Sequence, residues 1–283
     1  MYPLIIYNHT LTPAQEVNIS PINAGLIHGY GVFTTLRIYN GVPFQFKEHW
    51  TRLEMHAHTV KLDLDEDIET PVHADLISLI DANKIIEGKA RITLLERQSP
   101  FWQLGEKKSG VDILIFTADL PPKSIELNLT ISPYRVLSSP LSGVKTNDYI
   151  PQFLMLDEAR QRGFDDAVVL NERGEVCEVT TANIFWVRHL VLYTATPSTG
   201  CLTGTTSGLV RKLAKELKIE STCGAFHAEH LLSAEECFVT SSTRELVRVK
   251  SLNHKQFDAM PNSIFERLTL AFKKYVHKVT YPR

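Results

Sequence analysis

The sequence lacks any apolar run approaching the length of about 20 residues that a membrane helix needs. It also lacks an excess of basic residues, because 30 Lys and Arg are balanced by 32 Asp and Glu, for a formal net charge of −2. Neither nucleic acid nor a membrane is therefore an expected partner. The four cysteines have no Cys-x-x-Cys spacing, and the N-terminal residues have neither a basic region nor a small-residue cleavage site. We therefore expect reduced thiols, no signal peptide and a cytoplasmic location.

Common catalytic and metal-binding motifs are missing as well. The sequence has no Gly-x-Ser-x-Gly and no P-loop. His56 and His58 are two residues apart on a predicted helix and do not share a face, while His227 and His230 form a pair without a clear third ligand. Because a zinc site needs three or four converging ligands, no metal is expected.

Strand and helix patterns alternate along the 283 residues, which predicts a mixed α+β enzyme. Paired prolines in Asp119–Lys123 stop a strand and stiffen the chain, so we expect two domains, residues 1–120 and residues 121–283. Asn40-Gly41 is a strong hairpin signal. The predicted strands are Leu4–Tyr7, Val32–Tyr39, Ala90–Leu95, Val111–Ala118, Asp166–Leu170, Asn183–Val187, Val191–Tyr193 and Cys237–Thr240. The predicted helices are Phe46–Leu62, Pro71–Asn83, Tyr149–Arg162, Ser207–Leu217 and Ser263–Lys274.

Lys145 is the first candidate for chemistry, because it lies between a glycine-containing turn and the start of a helix in the stretch GVKTNDY. A lysine amine with a lowered pKa forms a Schiff base with a carbonyl. Tyr149, four residues later, is able to direct a phenol to the same place. From the residues alone, a solvated surface lysine is the more common outcome.

Three further features suit an anionic or charged ligand. Glu178 stands between apolar and small residues, so its carboxylate is either paired or neutralised; an exposed turn position is the competing interpretation. Thr205 and Thr206 precede a predicted helix whose free N–H groups and dipole suit phosphate, although ordinary N-capping gives the same pattern. Arg52 on a helix face is able to bind phosphate bidentately or to form a surface salt bridge.

Taken in order, five motifs resemble the fold-type IV (class IV aminotransferase) pyridoxal-phosphate enzymes. These motifs are HWTRL around Arg52, GVKTNDY around Lys145, CEVTTANIFW around Glu178, LTGTTSGLVRKLAKEL and FVTSSTRELVRV. The resemblance implies a small α/β-sandwich N-terminal domain and a larger β-barrel-like domain carrying the Schiff-base lysine. It also implies pyridoxal 5′-phosphate as cofactor and a homodimer whose active site is shared through the N-terminal loop, here roughly Ala24–Gly31.

The same resemblance implies a role for each candidate residue. Lys145 is expected to form the Schiff base and later to move the substrate α-proton, and Glu178 to keep the pyridine nitrogen protonated, which makes the ring a better electron sink. The other residues expected to bind the cofactor are Arg52, Tyr149, Thr181, Leu202, Thr205, Thr206 and Thr243. The residues expected to bind the substrate are Tyr30, Phe33, Arg91 and Arg244.

Within the family, the FTTLR strand and the EVTTANIFW stretch most resemble 4-amino-4-deoxychorismate lyases, which release pyruvate and form 4-aminobenzoate, a folate precursor. We therefore expect lyase activity, with Arg244 and Arg91 binding a substrate carboxylate. An aminotransferase of the branched-chain type is the alternative, because Arg91 matches its substrate-side arginine. Against it, Val179 and Thr181 replace the two glycines that this subfamily has beside the carboxylate.

Two other interpretations are less well supported. D-amino acid aminotransferases resemble the chain least, because Phe33 stands where they have Tyr and residues 96–101 contain no Arg-x-His. A non-catalytic cofactor-binding paralogue is the alternative from another class, and the presence of both Lys145 and Glu178 disfavours it.

Overall fold

The computed structural model describes residues 1–98, 101 and 110–281, and backbone contacts group them into two compact units. The first unit consists of Met1–Pro121, Val144–Asp148 and the last residues from Val279 onward; the second consists of Pro122–Gly143 and Tyr149–Lys278. The division into domains 1–120 and 121–283 stays a prediction, and the segment that contains Lys145 groups with the first unit. Ser99 and Pro100, within the stretch 96–101 that contains no Arg-x-His, lie outside the described residues.

The first unit is built on a six-stranded sheet whose pairings are antiparallel. Its strands are β1 (Leu4–Tyr7), β2 (Thr10–Pro13), β3 (Gly31–Tyr39), β4 (Val42–Pro43), β5 (Gly88–Glu96) and β6 (Val111–Ala118). Its helices are α1 (Ala24–Ile27), α2 (Phe46–Thr59) and α3 (Glu69–Ala82), and Ala14–Glu16 forms a 3-10 turn. The strand order is β2-β1-β6-β5-β3-β4, so β5 lies between β6 and β3.

The sharp turn after β3 follows from its two residues. Asn40 and Gly41 have φ values of 49° and 74°, as a two-residue type I′ hairpin requires. The predicted hairpin is therefore confirmed, and it leads into the short strand β4. Both predicted helices of this unit are also confirmed, because α2 and α3 bury Trp50, Leu53 and Leu79 in one core with the sheet.

The second unit contains the remaining elements. Its strands are β7 (Glu126–Val136), β8 (Asp166–Asn171), β9 (Val176–Val179), β10 (Asn183–Arg188), β11 (Val191–Ala195), β12 (Ser221–Gly224), β13 (Glu236–Ser241), β14 (Glu245–Leu252) and β15 (Lys255–Gln256). Its helices are α4 (Ile150–Gln161), α5 (Thr205–Glu216), α6 (Ala228–Leu232) and α7 (Ile264–Thr280), of which α7 has its last two residues in the first unit, and Pro197–Thr199 forms a 3-10 turn. The sheet has the order β12-β11-β10-β13-β14-β7-β8-β9, with β15 beside β14.

This larger sheet mixes parallel and antiparallel pairs and curls into a half-barrel. β9 pairs with β8 and also contacts β10 and β11. Fully buried side chains of several strands, including Val168, Ile184 and Val239, form its core. The predicted α+β class is confirmed. Within the described part of the chain, no helix combines the length and apolar character that crossing a membrane requires.

Candidate active site

The candidate residues fall into two sets, one in each compact unit. The lysine cluster, in the first unit, comprises Tyr30, Phe33, Arg52, Arg91 and Lys145. The glutamate cluster, in the second unit, comprises Tyr149, Glu178, Thr181, Leu202, Thr205, Thr206, Thr243 and Arg244.

The main chain of Lys145 is fixed on both sides. Its carbonyl accepts a hydrogen bond from the N–H of Phe33 at 3.0 Å, and its own N–H donates to Nδ1 of His56 at 3.1 Å. The N–H of Asn147 continues the pairing by donating to the carbonyl of Gly31 at 3.0 Å. The segment that carries the lysine is therefore attached to the start of β3 and to α2.

The ring of Phe33 is shared by two cations. Nζ of Lys145 lies 4.4 Å from the ring centroid, and the guanidinium carbon of Arg91 lies 3.5 Å from it. Arg91 also donates from Nε to Thr93 at 3.1 Å and from Nη2 to Oδ1 of Asn147 at 2.9 Å. Because cations are attracted to the face of an aromatic ring, a fixed guanidinium and the lysine amine both lie within contact distance of the same ring.

One face of α2 carries His49, Arg52 and His56, whose spacing of three and then four residues puts them on the same side of a helix. Nη2 of Arg52 donates to the hydroxyl of Thr34 at 2.9 Å, and Nδ1 of His49 lies 2.7 Å from the same hydroxyl. Arg52 is only 8% exposed. The surface salt bridge considered for it is therefore wrong.

Both histidines on this face are neutral at physiological pH. Burial, reinforced by the charges of Arg52 and Lys145, holds the pKa of His49 well below its usual value. The same causes lower the pKa of His56 to about 4. Because Nδ1 of His56 accepts a hydrogen bond, its proton resides on Nε2.

Tyr30 lies in the first unit with its hydroxyl occupied. The phenol donates to the carbonyl of Val60 at 2.8 Å, and the half-buried ring packs against the apolar core. Its expected contact with a substrate stays a prediction.

In the glutamate cluster, Glu178 is half-buried on β9 and its carboxylate is hydrogen-bonded. Oε2 accepts from the N–H of Leu202 at 3.1 Å and from Nδ2 of Asn183 at 3.3 Å. Nδ2 of Asn183 also donates to the carbonyl of Leu202 at 2.7 Å, which joins the three residues. The exposed-turn interpretation of Glu178 is therefore wrong.

The start of α5 lies beside this group. A Cβ on Gly204 would be 1.9 Å from Oδ1 of Asn183, so a larger residue there would displace the amide of Asn183 from its present place. Thr205 and Thr206 form the first residues of the helix and are buried. The free N–H groups and the positive end of a helix dipole favour an anion at such a place.

The turn between β13 and β14 contains Thr243 and Arg244, both half-buried. Nη1 of Arg244 donates to Oδ2 of Asp166 at 3.1 Å. Asp166 is fully buried, and its Oδ1 accepts from the hydroxyl of Thr180 at 2.5 Å and from the N–H of Ala167 at 2.9 Å. One end of Arg244 is thus committed to a buried carboxylate, and its role toward a substrate stays a prediction.

Two further members of the glutamate cluster occupy element ends. Thr181 is half-buried in the turn that joins β9 to β10, which is closed by a 2.9 Å hydrogen bond from the N–H of Val179 to the carbonyl of Ala182. Tyr149 is half-buried immediately before α4, with its ring edge-on to Phe153 at 5.7 Å between centroids.

Several residues that fix the candidate side chains were not identified from the sequence. In the first unit they are Thr34, His56 and Asn147, which hold Arg52, Lys145 and Arg91 respectively. In the second they are Asp166 and Asn183. The spacing of His56 from Arg52 was an available signal, because it places both on one helix face, and Asn183 lies only five residues from Glu178. Thr34, Asn147 and Asp166 come from more distant segments. In the described ranges, no cluster of three or more His, Cys, Asp or Glu is arranged to hold a metal.

Comparison with known proteins gives one family and three kinds of enzyme: aminodeoxychorismate lyases, branched-chain aminotransferases and D-alanine aminotransferases. The family described as "Amino-transferase class IV" matches residues 31–252. Aminodeoxychorismate lyase of Bacillus subtilis is 24% identical over 99% of this chain and 97% of its own. A protein of Methanocaldococcus jannaschii assigned as a branched-chain-amino-acid aminotransferase is 27% identical over 93% of this chain and 94% of its own. The structure of the T.th. branched-chain amino acid aminotransferase complexed with N-(5′-phosphopyridoxyl)-L-glutamate has a TM-score of 0.85 at 22% identity, covering 100% of this chain and 96% of that one.

The chain belongs to the class IV aminotransferase family. The family expected from the five motifs is therefore confirmed, and so is an enzyme of this class. The roles of individual site residues stay predictions.

Proposed function

We propose that the chain is a pyridoxal-phosphate enzyme in which Lys145 binds the cofactor covalently. When bound, this cofactor withdraws electrons from the carbon that carries the amino group of the substrate. Family membership supports the assignment, as does the phosphopyridoxyl ligand of the structurally similar aminotransferase. The position of the lysine amine beside Phe33 and Arg91 suits a group that binds a carbonyl compound and later moves a proton at the substrate carbon.

The other side chains fit the remaining parts of such a cofactor. Arg52 is a buried cation, and the start of α5, where a Cβ at Gly204 would displace Asn183, provides N–H groups for a phosphate. Glu178 is a hydrogen-bonded carboxylate, able to keep a proton on the pyridine nitrogen. Tyr149, Thr181, Leu202 and Thr243 are proposed as further contacts.

For the reaction, we propose cleavage of 4-amino-4-deoxychorismate to 4-aminobenzoate and pyruvate. The observation that carries this choice is the similarity to the aminodeoxychorismate lyase of Bacillus subtilis, which extends over 99% of this chain. The guanidinium of Arg91, fixed by Asn147 and Thr93 on the same ring as the lysine amine, suits this substrate as well as that of an aminotransferase. A permanent cation on the same ring as the reactive amine suits a substrate that has a carboxylate in addition to the carbon that carries its amino group. 4-Amino-4-deoxychorismate carries two carboxylates. Arg244 is proposed as the partner of the second carboxylate, through donors other than the one that binds Asp166.

The test is a product assay on the purified holoenzyme with aminodeoxychorismate made in place from chorismate by an aminodeoxychorismate synthase. We expect 4-aminobenzoate and pyruvate in equal amounts, with no requirement for a 2-oxo acid, because the substrate divides into the two products without a co-reactant. Lys145→Ala, tested in parallel, is expected to form neither product. Absence of 4-aminobenzoate with an active cofactor-bearing protein would overturn the assignment.

The second candidate is an aminotransferase, which the 27% identity to the Methanocaldococcus jannaschii protein favours. Adding L-leucine, L-glutamate, D-alanine or D-glutamate singly, and following the absorption of the bound cofactor, separates the two. Rapid bleaching by one donor, restored by a 2-oxo acid, would establish transamination and its stereochemistry. A protein that carries the cofactor but acts in neither assay would be the non-catalytic paralogue.

We further propose a cytoplasmic homodimer with a shared active site that serves folate biosynthesis. Exposed apolar side chains on short segments support self-association, including Leu26 near the N-terminus and Phe153 and Leu154 on α4. The four cysteines are free, as in a reducing compartment. Sedimentation velocity on the holoenzyme tests the dimer, and a monomer at assay concentrations would contradict it.

A further inference from the structure

We propose that His56 is a positioning residue for Lys145, acting as a neutral acceptor that fixes the main chain from which the reactive amine extends. The inference rests on the proposed function only for the role of Lys145, which the lyase and the aminotransferase would share.

The hydrogen-bond geometry gives the first argument. Lys145 is joined to its surroundings through both main-chain groups, and the partner of its N–H is a side chain, Nδ1 of His56 at 3.1 Å, while Phe33 on β3 binds the carbonyl. An acceptor at this place requires an imidazole without a proton on Nδ1. A protonated His56 would turn a donor toward the N–H and break the contact.

The electrostatic surroundings give the second argument, because they keep the imidazole in the form that the contact needs. His56 is 2% exposed, and its burial, assisted by the positive charges of Arg52 and Lys145, lowers its pKa to about 4.

The third argument is the position of His56 on α2. It lies one helical turn after Arg52, whose guanidinium is fixed to Thr34 on β3. The same helix face therefore holds the proposed phosphate ligand and the main chain of the lysine. A shift of His56 would move the reactive amine relative to Arg52, and small misplacements of a catalytic group reduce rates strongly.

The test compares His56→Leu, which has no acceptor, with His56→Asn, which keeps an acceptor close to the position of Nδ1. His58→Leu, at an exposed position on the same helix, is the matched control. We expect kcat of His56→Leu to fall at least about tenfold, because a buried donor is left unsatisfied and the lysine loses its position. KM should change less than twofold, and His56→Asn should recover most of kcat.

Two readouts are independent of turnover. The rate at which cofactor-depleted protein regains the absorption of bound pyridoxal phosphate should fall in His56→Leu and recover in His56→Asn. In the unmodified holoenzyme labelled with 15N-histidine, the long-range 1H–15N spectrum should identify His56 as the neutral Nε2–H tautomer at neutral pH.

Each result decides the proposal separately from the choice of reaction. A protonated or Nδ1–H imidazole in the labelled protein would overturn it even if His56→Leu failed to fold. Equal losses in His56→Leu and His56→Asn would also overturn it, because packing alone would then explain both. If 4-aminobenzoate is not formed but cofactor capture follows the expected order, the role of His56 stands and the lyase assignment fails.

Discussion

The buried pair of Asp166 and Arg244 leads to a quantitative prediction for Asp166→Asn. Asp166 is fully buried, and its Oδ2 accepts from Nη1 of Arg244 at 3.1 Å, while Oδ1 is occupied by Thr180 and Ala167. In Asp166→Asn, the amide oxygen still accepts the hydrogen bonds from Thr180 and Ala167. The other terminal atom becomes an NH₂ group that faces the N–H donors of Arg244, and the guanidinium loses its countercharge.

The magnitude follows from the burial of the two partners. Removing one member of a fully buried ion pair costs about 3–5 kcal/mol. The side chain of Arg244 retains 25% exposure, so water compensates part of the loss, and we expect a decrease of about 2–3 kcal/mol in the free energy of unfolding. This corresponds to a fall of roughly 30- to 150-fold in the folding equilibrium constant.

The assay is urea denaturation of the holoenzyme, followed by circular dichroism, for four proteins: the unmodified chain, Asp166→Asn, Arg244→Met and the double variant. The double variant should be more stable than Asp166→Asn, because it removes the unpaired buried cation along with its partner. A change below about 0.5 kcal/mol in Asp166→Asn, or strictly additive effects, would refute the account of a buried and coupled pair.

Three other predictions concern the histidines, a glycine and the thiols. The pKa of histidine is near 6.5 in the unfolded chain and that of His56 is about 4 in the folded protein, so the unfolded chain binds more protons between these two pH values. The contribution of His56 to the free energy of unfolding should therefore be complete above pH 6.5 and decrease by up to about 3 kcal/mol as the pH falls to 4. In urea titrations at several pH values, His56→Leu should reduce this dependence on pH. Gly204→Ala should displace Asn183, because the added Cβ would lie 1.9 Å from its Oδ1. In a spectral titration, this variant should bind the cofactor at least about tenfold more weakly. Gly208→Ala is the control, because a Cβ there meets nothing within 4 Å. Three of the four free cysteines are buried, and burial raises the pKa of each of these thiols. An aromatic disulfide reagent should therefore label at most Cys223 in the native protein and all four cysteines in denaturant. Rapid labelling of two or more thiols in the native protein would contradict the buried positions.

The strongly patterned elements were predictable from local sequence. The β-branched and aromatic run ending at Asn40-Gly41 became β3 and its hairpin, and the periodic apolar residues of α3 gave a helix close to its predicted limits. β7 was missed because it follows paired prolines and contains Pro133, which normally excludes a central strand. The structure accommodates that proline at an irregularity between Ile131 and Arg135 in the pairing with β8.

The candidate cofactor-binding residues were found from sequence motifs, whereas the residues that hydrogen-bond to them were not. Lys145, Glu178 and Arg52 have neighbours in the chain that mark them. By contrast, His56 is 89 residues from Lys145, and Asp166 is 78 residues from Arg244. Such pairings depend on strand order and helix rotation, which a local pattern does not encode, so the residues that orient a site are harder to predict than those that react.

The assignment of Val144–Asp148 to the first compact unit has a consequence for dissecting the gene. A fragment that ends at Pro121 would contain most of that unit but would lack Lys145 and the rest of the segment Val144–Asp148, which is hydrogen-bonded to the start of β3. This fragment would have no Schiff-base lysine. It would be supplied with the amine of Lys145 only if the second fragment, residues 122–283, were expressed separately and bound to it. A chimaera made from two related proteins should therefore take residues 144–148 from the same parent as the first compact unit, with which they group.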